Sequence, residues 1–186
     1  MALEDRIAAA KEINELLNQI VRLGAFRLKY RIAVDPPASL GAEWDRPAIL
    51  VDFSGPDSSM LVARGGELLR ALEMITVESV GDLLDEHERI SFDALGFVQA
   101  RAEELIAAAG VAAEKVRRTG EPYAFQPMNS RERRVVHLAL RDEEDVRTES
   151  EGEGLNRRLV VYPKDYKGKP PAPAAPAGRG GARRRR

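Results

Sequence analysis

The fold of the C-terminal part of the chain is decided by residues 127–161, PMNSRERRVVHLALRDEEDVRTESEGEGLNRRLVV. Asn129 is followed three residues later by Glu132, which is the pattern of a helix capping box and predicts a helix from residue 130 to about Arg141. The acidic stretch 142–145 predicts a loop. Two strands are predicted at 146–150 and 157–162, on either side of a turn at 151–154. The stretch therefore predicts a small unit of one helix and two strands.

The two sides of this predicted helix differ in chemistry. Apolar residues between 135 and 140 share one side at about 100° per residue. The basic residues are Arg133, Arg134, His137 and Arg141, which Arg157 and Arg158 of the following strand can join. Guanidinium groups bind phosphates and flat cations stack on unpaired bases, so this pattern suits a single-stranded polynucleotide. From spacing alone, an ordinary solvated helix face is the favoured interpretation, because basic pairs at i,i+4 are common on helices.

A second unit is predicted upstream. Helical spacing predicts a helix over 3–23, which ends at Gly24, and period-two alternation predicts a strand over 26–34. Residues 48–53 predict a central strand because they are apolar on both faces except for Asp52. The rest of the pattern predicts two short helices in 59–75 broken at Gly65-Gly66, a strand at 89–93 and a helix over 97–118. The predicted fold class is α+β, with two small units in series ordered α-β-β-α-α-β-α and then α-β-β.

Residues 127–161 closely resemble the nucleic-acid-binding module named for its Arg-x-x-x-His motif, the R-three-H domain, in the version found in the bacterial Jag family. Arg133 and His137 match the Arg and His that name the motif. The downstream TESEGEG at 148–154 and the paired Arg157-Arg158 match as well. The resemblance implies binding of single-stranded RNA or DNA, with Arg133 and His137 on the contact surface.

The Jag family places a KH domain just upstream, and the predicted order of elements agrees with that. In KH domains a Gly-x-x-Gly turn between two helices lets the nucleic-acid backbone approach closely. The corresponding stretch is Ala63-Arg64-Gly65-Gly66, in which Ala63 replaces the first glycine. The resemblance implies a degenerate KH-like domain at 1–118, with Arg64, Gly65 and Gly66 as candidate contacts, followed by the R-three-H-like domain at 119–163. The KH-like unit can alternatively be a scaffold or a dimerisation surface.

Charge is divided unevenly along the chain. Residues 164–186 contain eight basic residues and one acidic residue, a net charge of +7, and the remainder contains 21 basic and 29 acidic residues, a net charge of −8. The Pro/Ala/Gly/Arg composition of 164–186 predicts a disordered tail, and its ending GRGGARRRR resembles an arm that neutralises phosphates. The chain has no Cys, no signal-peptide pattern and no apolar stretch long enough for a membrane span. We therefore expect a cytoplasmic protein.

Enzyme motifs are missing from the sequence. Of the two histidines, His87 lies in an acidic context, and there is no Gly-x-Ser-x-Gly elbow or phosphate-binding loop. The acidic run 142–145 has adjacent carboxylates without the spacing of a calcium loop, so we interpret it as a charged loop. We predict no enzyme activity, no cofactor, no metal site and no small-molecule substrate.

Three functional hypotheses follow. The first is a Jag-like RNA-binding regulator or RNA chaperone; the resemblance also implies a small KH-only protein partner and a role in cell-envelope growth or division. The second is a single-stranded DNA binder that uses the same surface. The third is a protein-interaction adaptor in which the KH-like unit binds a partner and nucleic acid matters little.

Overall fold

The computed structural model describes residues 3–37, 47–80, 83 and 90–169. Trp44, His87, most of the residues between Val80 and Ile90, and the predicted tail from Pro170 onward lie outside these residues. The chain divides into two compact units between Ala100 and Arg101. Four helices and two three-stranded sheets among the described residues confirm the predicted α+β class. Each of these helices is too short or too polar to span a lipid bilayer.

The first unit begins with helix α1 (Leu3–Leu23), strands β1 (Lys29–Val34) and β2 (Ile49–Ser54), and the kinked helix α2 (Ser58–Val80). Strand β3 (Ile90–Ala94) completes a sheet of order β1-β2-β3, in which β2 is antiparallel to β1 and parallel to β3. The prediction that β2 is central is therefore confirmed. One continuous core includes Ile13 and Leu17 of α1 together with the tilted ring pair Phe53–Phe92, whose centroids are 5.4 Å apart.

Two boundaries in this unit differ from the predicted ones. The strand predicted from residue 26 begins at Lys29, because the backbone N–H of Arg27 donates to the Asp57 carboxylate at 2.8 Å and residue 27 is thereby held in a loop. The helix predicted to end near 75 continues to Val80, since Leu72, Thr76 and Val80 keep one buried side at helical spacing.

The second unit contains most of helix α3 (Phe97–Thr119), strand β4 (Tyr123–Ala124), helix α4 (Ser130–Ala139), and strands β5 (Val146–Glu151) and β6 (Arg158–Pro163). A single 3-10 turn at Gly154–Asn156 precedes β6. The antiparallel sheet has the order β4-β6-β5, and the central strand β6 is buried from Arg158 to Tyr162. Strand β4 was not predicted: two residues carry no readable alternation, and only its pairing with Val160 and Val161 defines it.

Candidate nucleic-acid interface

Helix α4 begins with the predicted capping box. The Glu132 backbone N–H donates to Asn129 Oδ1 at 2.9 Å, and the Asn129 backbone N–H donates to Glu132 Oε2 at 3.0 Å. The other carboxylate oxygen of Glu132 accepts a hydrogen bond from Arg101 Nε of α3 at 2.8 Å. One carboxylate therefore satisfies a free N–H of the first turn and joins two helices of the second unit.

The two sides of α4 are as different as the sequence predicted. Val135, Val136 and the cap residue Leu140 are buried, whereas Arg134 and His137 are exposed. The helix ends at Ala139, two residues before the predicted end, so Arg141 lies in the turn that follows it. Arg141 remains exposed and its Nε lies 3.3 Å from Oδ1 of the adjacent Asp142.

Arg133 lies beside Arg157. Arg133 Nη1 donates to the Met128 carbonyl at 3.3 Å, and the Met128 backbone N–H donates to the Arg157 carbonyl at 3.1 Å. Partial burial lowers the pKa of Arg133 from its ordinary value, and the positive charge of Arg157 lowers it further. Neither guanidinium has a carboxylate partner among the described residues. Two like charges held together in this way favour an anion between or across them.

The basic residues that the sequence singled out around α4 and that are exposed or half-exposed are called the basic face below. The basic face consists of Arg133, Arg134, His137, Arg141 and Arg157.

Arg158, which the sequence placed on the same surface, lies inside the unit instead. It is 7% exposed, and its Nη2 is 3.6 Å from Glu151 Oε2 across the β5–β6 pair. Because Arg158 begins β6 whereas Arg157 precedes it, the neighbouring arginines differ sharply in exposure. We therefore exclude Arg158 from the basic face, because its side chain is buried inside the second unit.

His137 is held by a residue that the sequence did not single out. Its Nδ1 lies 2.6 Å from Oγ1 of Thr148, which is on β5 opposite Val161 of β6. Thr148 opens the TESEGEG stretch, but its approach to His137 depends on how α4 packs on the sheet. No spacing rule along the chain could have indicated it.

The acidic loop next to the basic face is held by α3. Arg117 forms hydrogen-bonded ion pairs with both Glu143 and Asp145. The hydrogen bond and charge of Arg117 keep the pKa of the Asp145 carboxyl below its usual value. This loop is the acidic run 142–145, and Arg117 neutralises part of the negative charge that it places near Arg141. Among the described residues, no group of three or more His, Asp or Glu side chains is arranged to hold a metal ion.

The glycine turn lies in the first unit, at the kink in α2. Ala63 has an ordinary extended backbone, with φ −58° and ψ 152°, and the next three residues Arg64, Gly65 and Gly66 are all left-handed. The predicted break at Gly65-Gly66 is therefore confirmed, and the position of Ala63 does not require a glycine. The Arg64 side chain is 85% exposed, with Nη1 3.8 Å from Glu67, and the Gly65 carbonyl accepts a hydrogen bond from Arg70.

Comparison with known proteins gives one domain family and several relatives. Residues 103–163 match the R-three-H domain, a range that takes in most of α3 as well as the unit predicted at 119–163. The chain is 31% identical over 111 residues to "RNA-binding protein KhpB" of Clostridium symbiosum, covering 60% of this chain and 50% of that relative. It is 26% identical over 134 residues to the protein of the same name from Bacillus subtilis, covering 71% of this chain and 64% of that relative.

A third relative, also named "RNA-binding protein KhpB", comes from Streptococcus pneumoniae and is 24% identical over 128 residues, covering 69% of this chain and 39% of that protein. The chain therefore spans between about two fifths and two thirds of the length of these relatives. The resemblance drawn from residues 127–161 is confirmed by these matches.

Proposed function

Because the chain contains an R-three-H domain and is a relative of the KhpB proteins of the Jag family, we propose that it binds single-stranded RNA through the basic face. The observation that carries the proposal is the pair Arg133 and Arg157, whose like charges lie together without a carboxylate partner among the described residues. Many other described arginines are ion-paired, as Arg27, Arg31 and Arg117 are.

The contacts in this proposal divide by chemistry. The guanidinium groups of Arg133, Arg134 and Arg157 bind backbone phosphates, which gives affinity that falls with salt. His137 offers a flat ring to an unpaired base, and stacking of this kind contributes about 1–3 kcal/mol per base. Arg141 extends the basic face toward the acidic loop. The acidic loop marks the edge of the RNA path because carboxylates repel phosphates.

RNA is the preferred ligand over single-stranded DNA because the relatives are named for RNA binding. The same names, with the match to the R-three-H domain, support a binding protein rather than an enzyme. The adaptor hypothesis does not account for Arg133 and Arg157, which have no carboxylate partner in the described part of the chain. A cytoplasmic location belongs to the proposal, since RNA is the ligand.

The first unit is proposed to be a KH-like domain. The element order α-β-β-α-α-β, the parallel β2–β3 pair and the left-handed turn at Arg64, Gly65 and Gly66 support this assignment. Arg64 extends into solvent from the turn, but Glu67 offsets its charge and Arg70 occupies the Gly65 carbonyl. We therefore assign the turn a secondary contact with RNA. Pairing with a small KH-only protein, RNA chaperoning and a role in cell-envelope growth remain part of the proposal.

Fluorescence anisotropy with a labelled pool of single-stranded RNA tests this function. The full chain is compared with a chain ending at Lys169, which keeps the packing of Tyr166 on Tyr162. We expect both chains to bind, with affinity that falls as salt rises, and unlabelled RNA to compete better than single-stranded DNA of the same sequence. Complete loss of binding in the shorter chain would contradict the proposal, because the tail would then be the only polyanion contact.

A further inference from the structure

His137 is the one member of the basic face that is fixed by a side chain from another element of the described structure. It projects from an exposed side of α4, where an imidazole alone would sample several rotamers. The Thr148 hydroxyl lies 2.6 Å from its Nδ1. Thr148 itself is held in β5 by the register with Val161, and its β-branched side chain restricts χ1. The Thr148 hydroxyl is therefore held in a fixed position on the sheet, from which it hydrogen-bonds to the His137 ring on α4.

From this geometry we propose that Thr148 is a positioning residue of the RNA interface. It locks the His137 ring so that Nε2 and the ring plane are presented to RNA. This inference rests on the proposed function, and it adds a residue to the interface that is not itself basic.

The chemistry of the contact suits both forms of His137. A threonine hydroxyl both donates and accepts hydrogen bonds. When the neutral ring carries its proton on Nε2, the hydroxyl donates to Nδ1; when the ring is charged, the hydroxyl accepts from Nδ1–H. Nε2–H is a donor in both of these states. A ring ordered before binding loses less conformational entropy when RNA binds, so Thr148 contributes to affinity without touching RNA.

A double-mutant cycle separates positioning from simple structural support. Affinity for the labelled single-stranded RNA pool is measured for the full chain, Thr148→Val, His137→Ala and the combined variant. We expect Thr148→Val to weaken binding by about 3- to 10-fold, the range for a side chain that must be immobilised when RNA binds. It should have little further effect once His137 is alanine. Thr148→Ser keeps the hydroxyl and should restore most of the affinity.

Ser150→Ala provides a matched control, because Ser150 is an exposed hydroxyl residue two positions along the same strand. It should leave affinity unchanged. The ¹⁵N shifts of the His137 ring report its tautomer. When the ring is neutral, the shifts should show the Nε2–H form, and Thr148→Val should give a mixture of the two tautomers. Equal losses from Thr148→Val with and without His137 would overturn the inference. Absence of any RNA binding by the full chain would instead contradict the proposed function.

Discussion

Arg101 Nε of α3 lies 2.8 Å from Glu132 Oε1 of α4, and Glu132 also forms one side of the capping box at the start of α4. The carboxylate of Glu132 is therefore shared between a backbone N–H and a guanidinium. Burial lowers the pKa of Arg101, but its hydrogen bonds to Glu132 and Glu104 outweigh burial, so that the pKa is raised. The helix that carries Arg133, Arg134 and His137 of the basic face is thus fixed at its first turn, immediately before Arg133.

Glu132→Ala should lower the free energy of unfolding by about 1–2 kcal/mol, because it removes one side of the capping box and the partner of Arg101. Glu104→Ala is the control: Glu104 also pairs with Arg101, but its side chain is 67% exposed. An exposed pair of this kind contributes less than about 1 kcal/mol. Urea unfolding of the two variants measures the difference. Equal losses of unfolding free energy in the two variants would mean that the capping box does not stabilise the protein.

Gly65→Ala and Gly66→Ala should differ although the residues are neighbours in the left-handed turn. A Cβ on Gly65 meets nothing within 4 Å, so only the backbone strain remains, about 1 kcal/mol. A Cβ on Gly66 would lie 2.6 Å from Phe97 Cε1, and the added overpacking raises the expected loss to about 2–4 kcal/mol. Thermal unfolding of both variants tests this order. A larger loss for Gly65→Ala would contradict the described turn.

Arg157→Ala and Arg158→Ala should affect different properties. Arg157 is exposed, so its loss should weaken RNA binding, reduce the slope of affinity against salt by about 1 and leave stability unchanged. Arg158→Ala leaves the Glu151 carboxylate, itself only 19% exposed, without this partner and should destabilise the protein by about 3 kcal/mol or more. Parallel anisotropy and urea unfolding measurements distinguish them. The assignment of Arg157 to RNA binding and Arg158 to stability is wrong if Arg158→Ala weakens RNA binding while the free energy of unfolding is unchanged.

Arg117→Gln should make stability less dependent on pH in the acid range. Arg117 lowers the pKa of Asp145 in the folded protein, so this ion pair stabilises the fold above the unfolded-state pKa of the carboxyl. The stabilisation is lost as pH falls through the lowered pKa. The melting temperatures of wild type and variant should therefore differ at neutral pH and converge toward low pH. A gap that stays constant over this range would show that Arg117 acts by packing alone.

Much of the fold could be predicted because local chemistry determines it. The two glycines fixed the position of the kink, the apolar run at 48–53 marked a central strand, and Asn129 with Glu132 marked the start of α4. Strand β4 could not be predicted, because two residues show no period and Tyr123 pairs with Val161 far along the chain.

The candidate site was predicted less completely than the fold. Arg157 precedes β6, and the strand is buried at every residue from Arg158 to Tyr162. Because both faces of the strand are covered, period-two alternation along the chain could not indicate which arginine lies inside. The contact of His137 with Thr148 needed the packing of helix on sheet, which a single sequence does not give.

The most direct test of the account compares Arg133→Ala/His137→Ala with Arg118→Ala, in RNA affinity at fixed salt. Both variants remove one formal positive charge when His is neutral, and Arg118 is an exposed arginine of α3 outside the basic face. We predict a loss of about tenfold or more for the double variant, from two lost contacts of about 1 kcal/mol each. We expect little change in affinity for Arg118→Ala and little change in the melting temperature of either variant. Equal affinities in the two variants would contradict the proposed RNA interface, because the basic face would then contribute only non-specific charge.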